Sequence, residues 1–183
     1  MSSEISSLII SMTEVFSNDE YLNILSQIGT STITRYNVFI SFRGVDTRNT
    51  FVDHLYAHLR KKGIFVFKDG IELQKGESIS DQLLQEIQHS RVSIVVFSKD
   101  YASSTWCLDE MVAIHKCRVE LKQIVLPVFY HVDPSDVRNQ NGVYENDFVL
   151  HTETFKHDPE RVDGWKRAMT CLGGLAGWHV RDK

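Results

Sequence analysis

From residue 36 onward, short apolar runs alternate with segments whose apolar residues recur every three or four positions. Tyr36-Asn37-Val38-Phe39-Ile40-Ser41 is a β-prone run, ended by Arg43-Gly44. Phe51, Leu55 and Leu59, with Val52 and Tyr56, then keep helical spacing until Gly63 stops the helix. Ile64 to Phe67 predicts a second strand, followed by a polar, glycine-punctuated loop from Lys68 to Gly76. Ser78 with Asp81 forms a weak capping box, and Ile79, Leu83 and Ile87 supply the buried stripe of the helix behind it. Val92 to Phe97, rich in β-branched residues, predicts the third strand. A helix starting at Ser104 or Thr105 carries Leu108, Met111, Val112, His115 and Val119 on one side. Ile124 to Tyr130 predicts a fourth strand, where Pro127 argues for an irregular or edge-like position. Asp133-Pro134-Ser135 opens a loop and short helix, and Arg161 to Leu175 ends the fold with a helix bearing Trp165, Ala168, Met169 and Leu172.

Strands alternating with helices mean a parallel sheet covered on both faces, an α/β fold. Near-continuous apolar strands agree. Residues 1–34 lack a strong period and are rich in Ser and Thr. They read as an N-terminal extension, flexible or weakly helical over Glu14 to Leu25, before a Gly29–Thr34 linker. The domain proper is expected over residues 35–180.

Composition narrows the function classes. A length of 183 residues suits one domain with a short extension. The net charge of −4 leaves no global basic field, so nucleic acid is not an expected partner. Cys107, Cys117 and Cys171 form no CxxC pair and no metal-ligand spacing, which fits a reduced compartment and thiols buried as small hydrophobes. Ile5 to Phe16 is fairly apolar, but no Lys or Arg precedes it, Glu4 sits beside it and Glu14 within it, unlike a signal or transit peptide. No apolar run approaches the ~20 residues of a membrane helix. A cytoplasmic location is expected, with nuclear access left open and no membrane partner.

In open α/β sheets, ligands bind outside the carboxyl ends of the strands where the strand order reverses. If the order is 2-1-3-4-5, Phe42-Arg43-Gly44 and the Ser103–Glu110 segment face one crevice. Trp106 and Glu110 lie one helical turn apart, so they share a face. Two readings of Glu110 stand on the residues alone. It points into the crevice rimmed by Arg43, or Asp109 and Glu110 merely decorate an exposed first turn, as acids commonly do.

The run Tyr36 to Arg48 (YNVFISFRGVDTR) resembles the opening signature of plant TIR (Toll/interleukin-1 receptor-like) domains. Ser98 to Met111 (SKDYASSTWCLDEM), Leu126 to Arg138 (LPVFYHVDPSDVR) and Ala176-Gly177-Trp178 resemble later signatures, in family order. The resemblance implies a flavodoxin-like three-layer fold with a five-stranded parallel sheet of order 2-1-3-4-5 flanked by helices. It also implies self-association with other TIR domains in plant defence and cell-death signalling, and cleavage of NAD⁺ or NADP⁺ as substrate, with no cofactor and no metal. The family's catalytic glutamate matches Glu110, and its nucleotide-binding positions match Phe42, Arg43 and Gly44, with Ser103 and Trp106 near the site. The loop Lys68 to Gly76 matches a mobile segment, and His54 matches a symmetric helix-to-helix contact.

The chemistry is consistent with one acid. Glycoside hydrolysis usually needs two carboxylates, one to protonate a poor leaving group. Nicotinamide leaves NAD⁺ as a neutral base, so one carboxylate suffices to hold the ribose and stabilise an oxocarbenium-like transition state. Glu110 takes that role, Trp106 walls the pocket, and Arg43 contacts phosphate. Val45 and Gly70 depart from the family pattern at the rim, which bears on turnover more than fold. A non-catalytic TIR–TIR adaptor is the alternative.

Other signals were set aside. His54 and His58 stand four apart but complete no HExxH motif. Gly173 to Gly177 follows a helix, the wrong context for a phosphate loop, and is expected to end that helix. Lys116, Cys117 and Arg118 read as solvated helix surface. No GxxxxGK[ST] occurs in these 183 residues, and Phe42-Arg43 stands where a response regulator of the same fold class would carry acids.

Overall fold

The computed structural model describes residues 3–15, 36–68 and 81–181. Helix α1 (Ser3–Glu14) comes first, then strand β1 (Tyr36–Phe42), α2 (Gly44–Thr47), a π-helical turn (Arg48–Val52), α3 (Asp53–Lys61) and β2 (Val66–Lys68). Next are α4 (Asp81–Gln88), β3 (Ser90–Phe97), a 3₁₀ turn (Tyr101–Ser103), α5 (Thr105–Glu120) and β4 (Ile124–Tyr130). The chain closes with α6 (Pro134–Asn139), a second 3₁₀ turn (Gly142–Tyr144), α7 (Glu145–Thr154), α8 (Pro159–Gly173) and β5 (Trp178–Val180).

Local chemistry explains where the helices begin. Ser104 caps α5 by accepting from the Cys107 N–H at 3.3 Å. Asp133 accepts from the Ser135 N–H at 2.7 Å with Pro134 at the first helical position of α6, and Asp158 with Pro159 repeats the device at α8. Gly63, at φ +77°, ends α3, and α8 stops at Gly173.

The five strands run parallel in the order β2-β1-β3-β4-β5, as expected. Val38 pairs with Val66 on one side and Val92 on the other, so β1 is an interior strand. Side chains alternate between two cores with the period of two that a strand imposes. Phe39, Val95, Phe97, Val125 and Phe129 pack against α4, α5 and α8. Val38, Ile40, Val92, Ile94, Val96, Leu126 and Val128 pack against α1 and α3. Right-handed crossovers account for this division, because only the β1-to-β2 connection steps in the opposite direction and brings its helix to the second face. The β5 end of that face is covered by α1, whose Ile9 and Met12 are 2% and 0% exposed.

Several expectations need correcting. The helix in the N-terminal segment lies at Ser3–Glu14; the expected Glu14–Leu25 helix falls almost wholly outside the described residues, as do Ser78, Ile79, Gly70 and the loop after Lys68. Strand β2 starts at Val66, with Phe65 still 58% exposed, and β3 begins two residues early at Ser90. Pro127 is not at an edge: β4 lies between β3 and β5. It is tolerated because β5 pairs only from Val128 onward, so no ladder bond is required of it on that side. Gly177 meets it there, since a Cβ would come within 2.8 Å of the Pro127 ring and 2.9 Å of Phe129. On α5, Val119 is 52% exposed while Ile114 and Cys117 are buried, because the helix is held between the sheet and α8 and buries more than one stripe.

Candidate active site

The point where the strand order reverses lies at the carboxyl ends of β1 and β3, where neighbouring strands send their connections to opposite faces. Phe42 ends β1 at 7% exposure, and the half-buried Arg43 and Gly44 turn the chain into α2. Ser98 leaves β3 and leads through the Tyr101–Ser103 turn to the Ser104 cap of α5.

Polar ties lock the two loops together. The Asp46 carboxylate accepts from the Ser98 hydroxyl at 2.6 Å and from the Asp100 N–H at 2.9 Å. The Cys107 thiol lies 3.6 Å from the Phe42 carbonyl oxygen. From behind, Tyr144 donates to the Ser98 carbonyl at 2.7 Å, and the His151 ring meets the Ala102 carbonyl at the same distance. Neither α7, which carries His151, nor the turn holding Tyr144 had been anticipated.

Glu110 sits on α5 one turn after Trp106 and turns towards β1. It is 2% exposed, and its Oε2 accepts from the Ser41 hydroxyl at 2.6 Å. The Ser41 oxygen is also 2.9 Å from the Tyr101 hydroxyl, which donates to the Cys107 carbonyl at 3.1 Å. Burial above all, then the Cys107 and Glu110 charges, pushes the Tyr101 hydroxyl well above the ordinary tyrosine range. The same burial favours the protonated form of the Tyr101 hydroxyl.

Its neighbour Asp109 turns away. The Asp109 carboxylate accepts from Arg161 at 2.6 Å and from the Trp165 indole at 2.8 Å, tying α5 to α8. The picture of two acids on an exposed first turn thus fails for both.

The remaining candidates lie on the loops and helix start that follow β1 and β3. The buried Nε of Arg43 has no hydrogen-bond partner among the described residues. Trp106 is half-buried against the α5 side of the core. Ser103 is exposed, and its hydroxyl folds back onto the Asp100 carbonyl at 2.6 Å. Val45 stands 74% exposed beside the turn. His54 is apart from this group, on α3, where a groove of ≈ 300 Å³ runs between it, Ala57, His58 and Lys61 and the α1 residues Ser6, Ile9 and Ile10. No group of three or more His, Cys, Asp or Glu among the described residues could hold a metal. No helix there is long and apolar enough to cross a membrane.

Cys117 departs from the surface expectation, being 5% exposed. Sequence reasoning also missed Ser41, Tyr101 and Asp46 as site residues. The available signal was Ser41 itself, a hydroxyl interrupting the apolar Val38–Phe42 stretch of β1.

A family model for the TIR domain matches residues 35–183. The chain is 47% identical over 149 residues to disease resistance protein RPV1 of Vitis rotundifolia, covering 81% of this chain and 10% of that protein. It is 46% identical over 142 residues to TMV resistance protein N of Nicotiana glutinosa, covering 78% and 12%. Among solved structures, the TIR domains of the activated Roq1 resistosome directly recognizing the pathogen effector XopQ align with a TM-score of 0.73 and 49% identity, covering 79% of this chain and 87% of that one. The chain spans about a tenth of the length of the curated relatives it matches.

Proposed function

The chain belongs to the TIR domain family, and we propose that it hydrolyses the nicotinamide–ribose bond of NAD⁺ or NADP⁺ as a self-associating module of plant immune signalling. One observation carries the reading: a carboxylate, Glu110, is held at the carboxyl ends of the central strands by a 2.6 Å bond from Ser41. A titratable group fixed at the switch point of an α/β sheet is a candidate for chemistry.

In the reaction the bond between ribose C1′ and the nicotinamide nitrogen breaks, and nicotinamide leaves with the electron pair as a neutral base. Water forms the new C1′–O bond and gives up a proton, leaving an ADP-ribose product. Glu110 holds the ribose hydroxyls and offsets the positive charge that develops at C1′. Arg43, whose Nε is uncommitted among the described residues, takes the phosphates. Phe42 and Gly44 line the approach, Trp106 forms a wall, and Ser103 lies at the mouth.

Glu110 is only 2% exposed, so ribose reaches it only when the crevice widens. That supports an activity switched on by assembly, with His54 on α3 as one contact between copies. The similar Roq1 TIR domains belong to an assembled resistosome, which supports association. The three free cysteines suit a reducing compartment such as the cytoplasm.

The same burial favours a second reading, in which Glu110 is a structural acid and the domain is a non-catalytic TIR–TIR adaptor. NAD⁺ consumption by the purified protein at high concentration, beside Glu110→Ala matched for oligomer size, separates the two. Consumption by wild type alone supports the enzyme. Confirmed self-association without consumption by either protein sinks it and leaves the adaptor.

A further inference from the structure

The hydroxyls around Glu110 can be counted. Ser41 has one proton, and a carboxylate has none, so the 2.6 Å contact uses the serine proton. The 2.9 Å contact between Ser41 and Tyr101 then requires Tyr101 to donate. Tyr101 therefore shares its single proton between Ser41 and the Cys107 carbonyl at 3.1 Å. Both residues are fully buried, Ser41 next to the carboxyl end of β1 and Tyr101 edge-on to Phe97 with ring centroids 5.2 Å apart. Neither hydroxyl is turned to solvent, and both are ordered by backbone that the sheet and the Ser98–Ser104 turn hold in place.

We propose that Ser41, backed by Tyr101, is the positioning residue that keeps the Glu110 carboxylate ionised and correctly turned for the ribose. This rests on Glu110 being the working carboxylate. A hydrogen bond donated to a carboxylate favours its charged form, and a second donor behind the first strengthens it. Ser41 pins Oε2, which sets the plane of the carboxylate against the carboxyl end of β1. Neither residue needs to touch substrate.

The test follows the Glu110 carboxyl directly. In the full chain with ¹³C-labelled glutamate, the Glu110 resonance is identified by its loss in Glu110→Gln and titrated in wild type, Ser41→Ala, Ser41→Thr and Tyr101→Phe. Removing the donor destabilises the anion, so the midpoint rises by about one pH unit in Ser41→Ala. It rises less in Tyr101→Phe and returns towards wild type in Ser41→Thr. In NAD⁺ turnover, kcat falls roughly tenfold in Ser41→Ala with KM within about twofold, and the acid limb of the pH profile moves up with the midpoint. A purely structural serine would lower the yield of folded protein without moving that limb. If Ser41→Ala does not fold, Tyr101→Phe decides, because it removes one oxygen and keeps the ring on Phe97. A Glu110 midpoint unmoved in the folded variants overturns the proposal. A wild type without turnover but with the expected midpoint shifts supports the positioning role and removes only the assigned reaction.

Discussion

Asp109 and Glu110 are adjacent in sequence but reach different neighbours of α5, α8 and β1, so removing each charge should have different consequences. Asp109→Ala strips the acceptor from the Trp165 indole N–H, which belongs to a side chain only 1% exposed. A buried donor left without a partner costs about 1–3 kcal/mol. The ion pair with Arg161, whose side chain is 32% exposed, adds about 0.5–1 kcal/mol. Arg161 keeps its stacking over Phe155 and Trp165, so that part is not lost. The sum is roughly 1.5–4 kcal/mol, a fall in Tm of about 3–16 °C for a domain of this size. Asp109→Asn retains a carbonyl oxygen for the indole and loses only the charge, about 1 kcal/mol or 2–4 °C. Thermal unfolding followed by circular dichroism and tryptophan fluorescence measures both, and NAD⁺ turnover of Asp109→Asn should stay within about twofold of wild type. Equal Tm losses for the two variants would refute the indole contribution. Turnover lost as completely as in Glu110→Ala would refute the division of labour between the two acids.

Two further outcomes follow from the geometry. Gly177→Ala places a methyl against the Pro127 carbonyl oxygen and ring and against Phe129, which backbone can relieve only by shifting β5; a loss of about 1–3 kcal/mol is expected in a denaturant titration. His115 is held below the ordinary histidine value of 6.5, first by burial and then by Arg118. A histidine lowered in the folded state contributes stability that is intact above its unfolded pKa and is lost as pH falls from there through the lowered folded value, so wild type should weaken between pH 7.5 and pH 5.5 more than His115→Gln does. Identical pH slopes for the two proteins would remove His115 as a cause.

The parts legible in the sequence were those with a strong local signal. β1, β3 and β4 are apolar runs buried on both faces, and Ser104 is a cap followed at once by a helical pattern. β5 is three residues long with only Val180 buried, too short for any period to register. α7 exposes Val149 and Leu150 at 63% and 64%, so its apolar residues do not form a stripe. α1 is hidden by a serine-rich composition, and only tertiary contact makes Ile9 and Met12 a core. At the site, the shared face of Trp106 and Glu110 followed from helical spacing. The sealing of Glu110 by Ser41 could not, because the partners are 69 positions apart and meet only through sheet register.

The two faces of the sheet are closed in unlike ways. On one, each covering helix is a link between consecutive strands, so the chain cannot form the sheet without delivering them. On the other, beside α3, the cover is α1, which lies outside the span matched to the TIR family and is joined to β1 through residues 16–35. Connectivity does not enforce its seat; the contacts of Ile5, Leu8, Ile9 and Met12 do. In the language of binding, α1 is a ligand carried by its own receptor, seated by apolar contact and not by the order of the strands.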